Sequence, residues 1–107
     1  MKEIKEELRK KREQLHREEV KDMATRLQKA YDYLLQVRGA LSDAEQKIED
    51  TMIQNLEKKI RGEAEEDLGP LRNKQAELKK KVEEAEELVR LLERKARQVD
   101  PKFFDFL

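Results

Sequence analysis

Cysteine and tryptophan are absent from these 107 residues, which contain only two prolines, three glycines, one histidine and one serine. Without cysteine there is neither a disulfide framework nor a thiolate metal site, and redox chemistry says nothing about compartment. The lone serine, Ser42, and the lone histidine, His16, would stand about 39 Å apart on one helix, far outside the reach a serine–histidine nucleophile needs. Thr25 and Thr51 are the remaining aliphatic hydroxyls, with only carboxylates or lysines to serve them as bases. No glycine-rich phosphate loop or dinucleotide fingerprint occurs. No apolar run exceeds three residues, which excludes a transmembrane span, and the charged start "MKEIKEELRKKREQ" lacks the apolar centre of a signal peptide. With 25 basic and 25 acidic residues there is no global field to steer nucleic acid or an anionic membrane toward the chain. The expectation is a non-enzymatic protein with no cofactor, metal or small-molecule substrate, and a cytoplasmic one by default.

What the chain does have is charge and periodicity. Charged residues make up 47% and apolar residues 36%, the usage of coiled coils and long helices rather than of a conventional globular core. Low hydrophobicity also marks unfolded chains, but zero net charge and regular spacing argue against disorder. From Val20 the apolar positions are Val20, Met23, Leu27, Ala30, Leu34, Val37, Leu41, Ala44 and Ile48, an unbroken alternation of steps of three and four that makes a heptad seam. Ile4, Leu8 and Leu15 follow the same spacing in another phase, which places a register slip near residues 16–19. Beyond Ile48 the stripe is read as passing to Met52, Ile53, Leu56 and Ile60. A second seam runs Leu71, Gln75, Leu78, Val82, Ala85, Val89, Leu92, Ala96 and Val99, and Asp100-Pro101 stops it.

The segment "RGEAEEDLGP" at 61–70 is the natural break. Gly62 is placed to end one helix and Gly69-Pro70 to begin another, with acidic residues suited to the positive end of the second. The sequence therefore predicts an all-α fold, a long antiparallel helical hairpin or coiled coil in a single domain. Its parts are a helix over about 2–61, a turn over about 62–70, a helix over about 71–99 and an aromatic tail over 100–107. A three-helix bundle is the alternative, because Ser42 and Glu45 behind Gly39 make a capping box that could start a new helix. Continuity is preferred, since the seam keeps phase from Val37 to Ile48 and leaves Gly39 and Ser42 on the outer face. Folding back around residues 65 and 66 would pair Leu71 with Ile60, Leu78 with Ile53, Val89 with Leu41 and Val99 with Tyr31.

Four features are candidates for function. Glu13 and His16 form a Glu-x-x-His, the pairing found in di-iron bundles, but a chance match is expected in so glutamate-rich a chain. The basic runs "RKKR" at 9–12 and "KKK" at 79–81 could touch phosphates, yet glutamates interrupt them and no aromatic residue is interleaved for base stacking. Helix-face pairs such as Glu6 with Lys10 and Glu77 with Lys81 explain them more simply. Tyr31, Tyr33, Leu88 and Leu91 widen the seams beyond what one partner helix covers, and residues 1–22 outrun the second helix as an overhang. Finally, all three phenylalanines sit in the terminal "FFDFL", which is expected to plug the hairpin or to meet a second subunit or a partner. The reading is a coiled-coil scaffold or adaptor, a homodimer binding a protein partner of unknown identity, with a nucleic-acid-binding arm or a metal-binding bundle as alternatives. Its self-association and partner residues are Val20, Met23, Leu27, Tyr31, Tyr33, Leu34, Val37, Leu88, Leu91, Phe103, Phe104 and Phe106.

Overall fold

The computed structural model describes residues 2–106; Met1, Leu107 and the side chain of Phe106 lie outside the described residues. Helix α1 spans Lys2–Ile60 and helix α2 spans Gly69–Val99, followed by a 3-10 turn over Phe103–Phe106, with no strand among the described residues. The fold is the antiparallel helical hairpin that the seams predict. α1 runs without interruption through residues 38–46, so the capping box at Ser42 starts no new helix and the three-helix alternative falls. Gly39 is exposed, with nothing within 4 Å of where a Cβ would sit. A helix interior keeps its hydrogen bonds whether or not one outer residue is a weak helix former, because the seam beneath supplies the stability.

The helix ends are built from the residues expected. Gly62 has φ +75°, and the amides of Gly62 and Glu63 donate to the carbonyls of Lys59 and Lys58, the double bond of a Schellman cap. At the start of α2, two residues earlier than expected, the Asp67 carboxylate accepts from the Gly69 amide at 2.9 Å and Pro70 fills the first turn.

Packing is organised in two compact units. One comprises residues 32–86, including the turn; the other comprises residues 2–31 with 87–106. In both, the buried positions follow the heptads. On α1 these are Met23, Leu27, Ala30, Leu34 and Val37, with Val20, Leu41, Ala44 and Ile48 half-buried. On α2 they are Leu78, Val82, Ala85, Val89, Leu92 and Ala96, with Leu71, Gln75 and Val99 half-buried.

Two expectations about the pairing are overturned, both by the turn. Ile60 and Ile53 do not receive Leu71 and Leu78: both isoleucines are exposed, and Leu71 lines a groove with Ala44 and Lys47. Likewise Glu86, expected near residue 45, pairs with Arg38 at 3.4 Å, a shift of about one heptad. The cause is the path of residues 62–68. The chain does not reverse tightly but runs back along α1, where Asn55 grips it: its Nδ2 donates to the Glu66 carbonyl at 2.9 Å and its Oδ1 accepts from the Glu66 amide at 2.8 Å. The final turns of α1 are thus paired with loop, and α2 begins farther down.

The same grip explains where the first seam goes after Ile48. Steps of three and four lead to Thr51 and Asn55, which are buried, and not to Met52, Ile53, Leu56 and Ile60, which are exposed. Thr51 satisfies its hydroxyl within its own helix, donating to the Lys47 carbonyl at 2.8 Å. Asn55 holds the seam phase here because the segment facing it is loop backbone, whose polar groups it satisfies.

Candidate functional site

In the unit of residues 2–31 and 87–106, α2 stops at Asp100-Pro101 and the chain turns so that Phe103, seven residues past Ala96, still lands in the seam phase. Its side chain is 2% exposed. Asp100 makes the turn. Its Oδ1 accepts from the Lys102 amide at 2.9 Å, its carbonyl accepts from the Phe103 amide at 2.9 Å, and its Oδ2 lies 3.1 Å from His16 Nε2. The Lys102 amide, and after it the His16 ring, hold the Asp100 carboxyl below the usual aspartate range. His16 occupies the place that the seam of α1 would reach by counting back from Val20, so the ring closes the seam with a hydrogen bond. Val99 was expected near Tyr31. At this end α2 lies farther along α1, with Asp100 against His16 and Tyr31 beside Glu93 and Arg97. Burial, with the Glu93 charge, pushes the Tyr31 phenol above its ordinary range, against the opposing pull of Arg97.

Phe104 is half-buried, edge-to-face against Phe103 with ring centroids 5.2 Å apart, and the Arg97 guanidinium lies 5.0 Å over its ring. The side chain of Phe106 lies outside the described residues. Of the other candidate partner residues, Met23, Leu27, Leu34 and Val37 are covered within the chain, Val20 and Tyr31 are half-buried, and Tyr33, Leu88 and Leu91 are exposed.

Two sets of large apolar side chains face outward. Residues 2–19 are exposed throughout, and they carry Ile4, Leu8 and Leu15. In the unit of residues 32–86 the outward set is Met52, Ile53, Leu56 and Ile60, at 46%, 50%, 62% and 86% exposure. Beside the second set lies an open groove of about 370 Å³, lined by Met52, Asn55, Leu56, Glu65, Glu66, Asp67 and Leu68.

Glu13 ion-pairs with Arg9 at 3.9 Å while His16 is turned to Asp100, and no group of three or more potential metal-ligating side chains occurs among the described residues. Among the described residues, no helix is long and apolar enough to cross a membrane. Asn55 and Asp100, which set the two ends of the pairing, were missed as sites. The available signals were an asparagine seven residues after Ile48, in phase with the seam, and an aspartate immediately before a proline. No known protein family, curated protein or solved structure matches the chain.

Proposed function

We propose that this protein is a non-enzymatic coiled-coil scaffold or adaptor that self-associates as a homodimer and presents helical surfaces to a protein partner. The observation that carries the reading is the exposed first stretch of α1. An 18-residue helical segment over 2–19 bears Ile4, Leu8 and Leu15 exposed on its surface. In proteins most helical stability comes from packing an apolar face, and this stretch has such residues without a partner for them.

A second copy fits this stretch by charge. In an antiparallel pair of α1 helices crossing at Leu15, Lys11 of each copy opposes Glu19 of the other, Arg12 opposes Glu18 and Glu13 opposes Arg17. Three oppositely charged pairs on each side of a leucine contact favour that register over a parallel one, which sets the "RKKR" runs against each other. The match ends at Arg9, which would meet Lys21, so the contact is a crossing of a few turns. Leu15 points away from the seam phase, which keeps the crossing clear of α2.

Sedimentation equilibrium tests the proposal. The full chain is expected to dimerise, and Leu8→Glu with Leu15→Glu to yield a monomer of unchanged helicity. A monomeric native chain over the whole concentration range would remove the self-association reading. The competing nucleic-acid arm predicts affinity for single- or double-stranded oligonucleotides that falls steeply with salt, and no binding at low salt removes it.

A further inference from the structure

We infer that the outer face of α1 near the turn, together with the groove beside it, is a docking site for a basic amphipathic helix of a partner protein. The inference rests on the adaptor reading and names the chemistry of the partner, but it does not depend on dimerisation through residues 2–19.

The hydrophobic pattern of α1 reverses near the turn. Between residues 51 and 60 the seam positions are polar and most of the outer positions are apolar, the opposite of what folding alone selects. Thr51 and Asn55 are buried, while Met52, Ile53, Leu56 and Ile60 are exposed. Ile53, Leu56 and Ile60 follow the spacing i, i+3, i+7, so they make one stripe about 10 Å long, the length over which a partner helix contributes two to three apolar turns. Leu68, half-buried in the loop, extends the apolar floor on the groove side.

The rim is predominantly acidic. Counting heptads from the seam, the outer positions of α1 between 49 and 60 are Glu49, Asp50, Ile53, Leu56, Glu57 and Ile60, with no basic residue among them. Across the groove stand Glu65, Glu66 and Asp67. Of the nearby cations, Lys58 continues the seam phase and is half-buried, Lys59 flanks it on the groove side, and Arg61 is engaged with Glu63 at 3.3 Å. A second copy of this face would bring acid against acid, so the surface is unsuited to self-pairing. A helix with an apolar stripe and flanking lysines or arginines matches it in both respects: its stripe covers Ile53, Leu56 and Met52, and its cations meet the acidic rim.

The test uses the full chain and a fluorescent synthetic peptide of leucine and lysine arranged as an amphipathic helix, beside a scrambled peptide of identical composition and one with glutamate in place of lysine. Anisotropy titrations should show binding of the amphipathic basic peptide, weakening by about tenfold or more between 50 and 300 mM salt, with the two controls at least tenfold weaker. Ile53→Ser with Leu56→Ser should abolish the binding, Glu57→Gln with Glu65→Gln should weaken it and flatten its salt dependence, and Leu88→Ser with Leu91→Ser should leave it unchanged. All these positions are exposed, and circular dichroism on the same samples verifies the helices. Equal binding of the scrambled peptide, equal loss in the Leu88/Leu91 variant, or no binding at low salt would overturn the inference. A dimer that dissociates on Ile53→Ser with Leu56→Ser would instead assign the face to a second copy and overturn it too. Failure of peptide binding with dimerisation intact sinks this inference alone; a monomeric native chain sinks the self-association reading.

Discussion

In the unit of residues 2–31 and 87–106 the seam is filled by Met23, Leu27 and Ala30 from α1 and by Val89, Leu92, Ala96 and Phe103 from the rest, with Ala96 wholly inaccessible. In the unit of residues 32–86 it begins with Leu34 and Val37, thins to the half-buried Leu41, Ala44 and Ile48, and ends on Thr51 and Asn55. The first arrangement is held by the transfer of apolar surface out of water. The second ends in hydrogen bonds to loop backbone, whose net worth is smaller and whose loss leaves buried polar groups unpaired. The contrast shows what a heptad position asks of its residue: it asks for complementarity to whatever lies opposite, and apolarity only when the opposite element is itself a helix.

Substitutions can break this contrast, and the largest effect is expected in the apolar seam. Leu27→Ala should cost about 2–5 kcal/mol, a fall in melting temperature of some tens of degrees at roughly 4–8 °C per kcal/mol. If a thermal melt shows it no more damaging than the Asn55 change below, the two units do not differ in the way described. Phe103→Ala should follow at about 3 kcal/mol, the lower end for a phenylalanine because the site lies near the chain end. An unchanged melting curve would show that the aromatic plug holds nothing.

The polar end of the seam is tested by a pair. Asn55→Ala removes both bonds to Glu66 and should cost about 1–3 kcal/mol, whereas Thr51→Val removes only a bond to the helix's own carbonyl and should change denaturant midpoints little. Comparable losses in both would mean that burial at this end, and not the grip on the loop, is what matters. At the other end, Asp100 sharpens the comparison through pH. Its carboxyl titrates below the usual aspartate range in the folded chain, so its contribution is present above its unfolded pKa and is lost as pH falls through the lowered folded value. The native chain should therefore melt above Asp100→Asn at neutral pH, and the gap should close in strong acid; a gap that persists below pH 2 would contradict the assignment. The smallest change expected is a gain: Gly39→Ala, on an open outer face, should stabilise the chain by about 0.5–1 kcal/mol, and destabilisation would mean that the helix is not regular there.

Much of this architecture was legible in the residues. Both seams were visible from Val20 to Ile48 and from Leu71 to Val99, because uninterrupted steps of three and four have no other structural outlet, and Gly62 and Asp100-Pro101 announced their stops. The continuity of α1 through Gly39 and Ser42 followed from phase. What was not legible depends on the partner across the interface. The seam was followed through Met52, Ile53, Leu56 and Ile60 by hydrophobicity, while Thr51 and Asn55 kept the spacing; only the path of the loop says which of the two tracks is buried. The pairing of the helices was displaced for the same reason, since the number of residues a loop spends running back along its helix is not written in its composition. The terminal phenylalanines were legible as a group, but Asp100 and His16, which place Phe103, act through geometry and not through any recurring motif.

The most direct test of the central claim, that the exposed first turns of α1 are a surface for a second copy, is amide hydrogen exchange over residues 4–19 at two widely separated protein concentrations. The account predicts protection there that rises with concentration, while amides between Leu27 and Val37 stay equally protected in both samples. Exchange over residues 4–19 that is fast and identical at both concentrations would contradict it.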